Sequence, residues 1–210
     1  MSRNEKETVA RYRARLKKYG HSKETLGWFK GKQDIRYRAL IKDIPADISS
    51  IIDVGCGFGD GIPYIAEKFT DLHYTGIDMV PEFIENAKAR FQQHDFVCGD
   101  YIKFEPKKRL GAIIASGIFN HNTTTNYQDV EQLIKYCKQV EFRYLAFDVM
   151  SNIVDFKNKG NFYHDPTEII GIITKHSRRF KLSHLEQPFE YTIFIDMNDD
   201  FDSVTSKYVK

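Results

Sequence analysis

Short apolar runs alternate along this chain with longer segments in which apolar residues recur every three or four positions. The runs at 51–54, 72–77, 96–98, 112–115 and 144–149 are too short for helices and read as buried strands. Between them, Ile62, Ile65, Ala66 and Phe69 mark one helical face, and Ile84, Ala87 and Phe91 mark a second. Val130, Leu133, Ile134 and Cys137 mark a third, over about 127–140. Asp165-Pro166-Thr167-Glu168 supplies an N-cap, a first-turn proline and an acid at N3, so a further helix starts there. Two strands near 180–186 and 189–196, joined across Gln187-Pro188, form a closing hairpin. Ahead of these units, Val9, Tyr12, Leu16 and Tyr19 predict a helix over 3–19 that Gly20 stops. A second helix, over about 33–43, directs Ile35, Ala39, Leu40 and Ile44 toward the core. Alternating βα units ending in an antiparallel hairpin predict an α/β three-layer sandwich on a mixed seven-stranded sheet. The 210 residues form one domain, a core over 45–210 preceded by a helical segment over 1–44.

The first apolar run leads into Asp53-Val54-Gly55-Cys56-Gly57-Phe58-Gly59-Asp60, a strand, a glycine turn and then a helix. Such a turn brings backbone N–H groups close to a ligand where a Cβ would intrude. Asp78 ends the second strand, 19 positions after Gly59. That spacing puts a carboxylate in reach of a ribose diol bound over the turn. The spacing of the glycines disfavours a nicotinamide dinucleotide, because the third glycine comes one residue too early for G-x-G-x-x-G.

These residues resemble the cofactor motifs of class I S-adenosylmethionine-dependent methyltransferases. The resemblance implies a Rossmann-like sheet with strand order 3-2-1-4-5-7-6. It implies that the front helices form a lid, and that Asp53, Gly55, Cys56 and Gly57 belong to the cofactor turn. Phe96-Val97-Cys98-Gly99-Asp100-Tyr101 is similar to the family segment whose acid receives the adenine amino group. Ala112-Ile113-Ile114-Ala115-Ser116-Gly117 stands where the family's fourth strand runs beneath the methionine part of the cofactor. Met79 and Tyr101, each next to one of the acids, join Ser116 as expected cofactor neighbours. Residues 27–36 with 115–120 look like a bacterial subset acting on small molecules.

No apolar run approaches a membrane span, and the N-terminus is charged without a signal-peptide core, so a cytoplasmic protein is expected. The three cysteines, Cys56, Cys98 and Cys137, form no C-x-x-C pair and read as reduced and structural. No His, Cys, Asp or Glu cluster has metal-ligand spacing, so no metal is expected. Charge is uneven: residues 1–42 carry 13 Lys/Arg against 4 Asp/Glu, and the rest carry 18 against 25. This is a solvated basic helix, or an attraction for an anion: the cofactor carboxylate, a phosphorylated or nucleotide-linked acceptor, or RNA. Gln33 and Arg36, one helical turn apart, are candidates to hold the cofactor carboxylate, since the guanidinium fork fits it.

The chemistry is expected after strand 4, where open α/β sheets bind ligands. His121 there, and His164 at the end of the long 151–165 loop, are candidate general bases, with His21 a weaker one. Asn120 and Tyr163 are candidates to orient the acceptor. His73, His94, His176 and His184 read as structural. The Asn/Asp-Pro-Pro-aromatic motif of amino-methylating nucleic-acid enzymes is absent, and Ser116-Gly117-Ile118-Phe119 stands in its place. The expectation is therefore methyl transfer to a small molecule, most simply O-methylation of an anionic or sugar-type acceptor such as a surface-polysaccharide precursor. RNA or protein methylation, and a silent cofactor-binding protein, remain the alternatives.

Overall fold

The computed structural model describes residues 3–27, 33–107 and 111–198. Residues 28–32 of the 27–36 stretch, Trp28 and Phe29 among them, and the basic turn at 108–109 lie outside them. Two helices, α1 (Arg3–Tyr19) and α2 (Gln33–Ile41), lead into β1 (Ser50–Val54). Then come α3 (Ile62–Lys68), β2 (His73–Asp78), α4 (Pro81–Arg90) and β3 (Asp95–Cys98). After a single 3₁₀ turn at Tyr101–Lys103 follow β4 (Ala112–Ala115), α5 (Asn126–Gln139) and β5 (Tyr144–Met150). The described chain closes with α6 (Pro166–Ile173), β6 (Phe180–Ser183) and β7 (Glu190–Asp196). The seven-stranded sheet has the order β3-β2-β1-β4-β5-β7-β6, as expected. Its first five strands run parallel, and β7 is antiparallel to both β5 and β6.

The period of two along each strand divides the core between the sheet's faces. Ile51, Ala112, Ile114, Tyr144 and Ala146 face α2, α3 and α4, where they meet Leu40, Ile41, Ile65 and Ile84. Their neighbours Ile52, Val54, Ile113, Leu145 and Phe147 face α5 and α6, meeting Leu133, Ile134, Ile169 and Ile173. Each such aliphatic side chain contributes about 1.5–3 kcal/mol on burial. A third, smaller cluster joins Val9 on α1 to Phe58, Val80 and Phe83, with Tyr12, Leu16 and Leu26 beside it. It fastens α1 across the glycine turn.

Ends are set locally. Pro81 and Pro166 occupy first turns, and Asp165 caps α6 by accepting from the Thr167 amide at 2.7 Å. Ile35 departs from expectation: on a nine-residue helix packed through Tyr37, Ala39, Leu40 and Ile41, it is left 41% exposed. The long 151–165 loop is pinned rather than loose. His164 N donates to Met150 O at 2.7 Å, and Phe162 N donates to Asn120 O at 3.1 Å. Among the described residues no helix is long and apolar enough to cross a membrane.

Candidate active site

Parallel strands end together, so the segments after β1, β2, β3 and β4 converge on one edge of the sheet. A cavity of about 1150 Å³ opens there, with α1 and the β6–β7 turn forming its far walls. Gly55 and Gly57 turn its floor, at φ +76° and +56°. A Cβ on Gly55 would stand 2.4 Å from Ile118 Cγ2, so the turn admits no side chain there without a shift. Gly57 N donates to Asp78 Oδ2 at 3.0 Å, and Val80 N donates to Asp78 Oδ1 at 2.9 Å. Two backbone amides thus fix the Asp78 carboxylate at the cavity wall, and each oxygen keeps a further acceptor site. Burial pushes the Asp78 carboxyl up to about 6, against the pull of those amides.

On the β3 side, Asp100 Oδ1 accepts from Ile102 N at 3.1 Å, which holds the acid at the start of the 3₁₀ turn. Tyr101 packs edge-on against Tyr136 at 5.2 Å between ring centres. Gly99 directly follows β3, its N donating to Asp78 O at 2.9 Å, and a Cβ there would meet nothing within 4 Å, so this wall has room. Met79, Asp100, Tyr101 and Ser116 all line the cavity with Asp78, Gly55, Cys56 and Gly57. The structure therefore gathers eight of the expected cofactor residues on one surface.

Three others are placed differently. Asp53 is 1% exposed beneath the turn, where Tyr74 donates to it at 2.8 Å, and it does not reach the cavity. Burial pushes its carboxyl up to about 7. Gln33 lines a separate, smaller pocket with His21, Phe58 and Arg90 on the outer side of the turn. Arg36 does line the cavity, but its guanidinium is engaged: it donates to Glu190 Oε1 and lies 3.7 Å from Asp148 Oδ2. Asp148 also accepts from Ser116 Oγ at 2.8 Å and Gly117 N at 2.7 Å. The arginine expected to hold a cofactor carboxylate thus already joins two carboxylates of the protein.

Of the catalytic candidates, Asn120, His121 and Tyr163 line the cavity. Asn120 is fixed at both ends, its Oδ1 accepting from Met150 N at 3.1 Å and its Nδ2 donating to Glu190 Oε1 at 3.4 Å. His121 Nε2 is 3.4 Å from the Tyr12 hydroxyl of α1. Burial, with Arg11 and Arg15 nearby, lowers the His121 imidazole to about 4, so it is neutral at pH 7 and a weak base. The Tyr163 hydroxyl accepts from Asn158 N at 2.7 Å. His164 is a correction: it is fully buried behind the cavity between Tyr127 and Phe162, and burial lowers its imidazole to about 4. His21 packs on Phe58 in the smaller pocket.

Glu190 is the cavity-lining residue that sequence reasoning missed. The register pairs Met150 with Glu190 and Asp148 with Thr192, so Asp148 and Glu190 share a face as diagonal neighbours. Around the cavity stand Arg15 and Arg36 against Asp78, Asp100, Asp129, Glu186 and Glu190. Arg15 itself donates to Glu24 O at 2.7 Å. The wall is acidic, which does not favour the anionic acceptor read from the basic front third. Much of that positive charge sits on exterior faces instead, as in the exposed Arg13–Glu82 and Arg38–Glu67 pairs.

A family model for a methyltransferase domain matches residues 51–152. A protein of Mycobacterium tuberculosis named as a methyltransferase is 28% identical over 160 residues, covering 71% of this chain and 94% of that one. A trans-aconitate 2-methyltransferase of Methylobacterium radiotolerans is 30% identical over 80 residues, but there the match spans only 31% of the relative. Magnesium protoporphyrin IX methyltransferase of Synechocystis, crystallised with S-adenosylhomocysteine, has the same fold, with a TM-score of 0.62 at 14% identity. That likeness covers 90% of this chain and 98% of the other. With the glycine turn and the strand order, these matches make residues 51–152 a methyltransferase domain and give the chain the fold of the S-adenosylmethionine-dependent methyltransferases.

Proposed function

We propose that the cavity binds S-adenosylmethionine along the carboxyl ends of β1–β4 and methylates a hydroxyl on a neutral small molecule entering beside the β6–β7 turn. The observation that carries the reading is the continuity of one cavity from Asp78 and Asp100 to Asn120 and Glu190. The residues fit the cofactor. Asp78 keeps acceptor capacity for a ribose diol, Asp100 and Tyr101 line the same cavity and would receive the adenine, and the room at Gly99 supports this. Ser116 and Gly117 would flank the methionine end. The five carboxylates favour a ligand with a sulfonium and an ammonium group.

Bound S-adenosylmethionine supplies an activated methyl group. What remains for the chain is to position the acceptor and exclude water, which is worth about 7–11 kcal/mol when the alignment is good. Asn120, held at both ends, is a rigid donor at the acceptor end. Tyr12 and the α1 helix close the side of the cavity toward His121. Phe156 and Phe189, in edge contact at 5.2 Å and about half exposed, line the mouth with Ile35 and Val154. These surfaces suit an acceptor with an apolar body and few charges.

The test uses methyl-labelled S-adenosylmethionine, the purified protein and a cell extract divided into small metabolites, RNA and protein. Label should enter the small-metabolite fraction, in material that an anion exchanger does not retain. Label in retained material would restore the phosphorylated or nucleotide-linked acceptor, and label in RNA would overturn the substrate class. Cofactor binding with no label in any fraction would favour the silent binding protein.

A further inference from the structure

Glu190 presents an unusual combination. It is 7% exposed, yet it lines the cavity. Its Oε1 accepts from Arg36 Nη2 and Asn120 Nδ2. Its Oε2 is buried and has no partner among the described residues. A buried, unpartnered carboxylate oxygen costs stability, and a functional role is one reason for a fold to keep one. Glu190 itself lines the cavity beside Asn120 and Phe189, at the end where the proposed acceptor enters.

We propose that Glu190 is the catalytic base of this enzyme: its Oε2 takes the proton of the acceptor hydroxyl as the methyl group is transferred. The proposal rests on the methyltransfer reading above. In the step, the acceptor O–H bond breaks and its proton goes to Oε2. The acceptor oxygen forms the bond to the methyl carbon, and the electron pair of the S–CH₃ bond returns to sulfur. Atoms and charge balance without a further reactant.

The surroundings support this role. Arg36 from α2 lies between Glu190 on β7 and Asp148 on β5, so two buried carboxylates share one guanidinium. Burial pushes the Glu190 carboxyl up and Asp148 adds to this, while Arg36 and Asn120 hold it down. Glu186, from the β6–β7 turn, lines the same end of the cavity. A carboxylate raised toward neutrality is a better base than one at the ordinary value. His121 is the rival, but its imidazole is lowered and its Nε2 lies 3.4 Å from the Tyr12 hydroxyl. Finally, Asn120 and Arg36 both engage Oε1, which leaves Oε2 without a protein donor among the described residues.

The test compares wild type, Glu190→Gln and Glu190→Asp. Each is given labelled S-adenosylmethionine and the unretained small-metabolite fraction, while S-adenosylhomocysteine affinity is measured by calorimetry. Glu190→Gln should transfer label about 100-fold more slowly or worse at pH 7, with S-adenosylhomocysteine affinity within about twofold of wild type. Glu190→Asp should fall between the two. In wild type loaded with S-adenosylhomocysteine, ¹³C carboxyl resonances of labelled glutamate should include one that titrates near neutrality. Label transfer by Glu190→Gln within threefold of wild type would overturn the proposal while leaving the methyltransferase reading intact. The absence of any glutamate titrating above the ordinary range would overturn it too, whether or not the variants fold. Wild type that binds S-adenosylhomocysteine but labels nothing would sink both.

Discussion

Replacing Asp78 should separate two roles that the structure gives one carboxylate. Its oxygens hold the glycine turn by accepting from Gly57 N and Val80 N, at 3.0 and 2.9 Å, and each has one site left for a ribose hydroxyl. A hydrogen bond to a charged group is worth about 1.5–3 kcal/mol, so losing two at the diol amounts to about 3–6 kcal/mol. Asp78→Ala should then weaken S-adenosylhomocysteine binding by about 10²–10⁴-fold. Asp78→Asn keeps one acceptor oxygen and should lose about 10–100-fold. Calorimetry gives the affinities, and thermal melting gives the share lost through the turn itself. The same residue sets a pH dependence. Its carboxyl is raised to about 6 by burial, and the diol binds the ionised form. Affinity should therefore be steady above that pH and fall, by up to about tenfold per unit, as the pH drops below it. Asp78→Ala with wild-type melting and an affinity within threefold of wild type would refute the ribose assignment.

Other substitutions probe the rest of the account. His164 is buried and lowered to about 4, so between there and 6.5 the unfolded chain binds a proton that the folded chain does not, and stability is lost as pH falls through that window. In urea denaturation, His164→Leu should gain on wild type by up to about 1.4 kcal/mol per pH unit over that window, and a pH-independent difference would contradict this. Gly55→Ala faces both a positive φ and the Ile118 methyl at 2.4 Å, so it should lose about 1–3 kcal/mol of stability and bind S-adenosylhomocysteine poorly. Adding Ile118→Ala should restore part of the loss, because it removes the contact but not the strained φ; no recovery would locate the whole cost in the backbone. His121→Ala should leave S-adenosylhomocysteine affinity unchanged and slow label transfer less than tenfold, whereas a hundredfold loss would return the base to His121.

The fold was readable because local signals agreed. Five apolar runs, three helical faces and the Asp165-Pro166 cap each implied the element found, and the alternation forced a parallel sheet with its ligand edge at the glycine turn. The acids Asp78 and Asp100 were readable because a strand end places a residue by spacing alone. The errors arose where a side chain's partner lies far away in sequence. Arg36 meets Glu190 154 positions later, and only the β5–β7 register brings Glu190 beside Asp148. Gln33 and Arg36 are three residues apart, which leaves them about 60° apart around the helix, and this was enough to send them to different pockets. His164 sits in a loop by sequence, but the hydrogen bonds from 162 and 164 to residues 120 and 150 draw it into the core. The charge of the front third was a true count with a misleading implication, since α1 directs much of it outward.

The most direct measurement is a crystal structure of the protein with S-adenosylhomocysteine. The account predicts the ribose hydroxyls on Asp78, the adenine edge at Asp100 and Tyr101, and the homocysteine end beside Ser116 and Gly117, with the sulfur turned toward Asn120 and Glu190. A cofactor lying in the smaller pocket by Gln33 and Arg90, or one whose ribose makes no contact with Asp78, would contradict it.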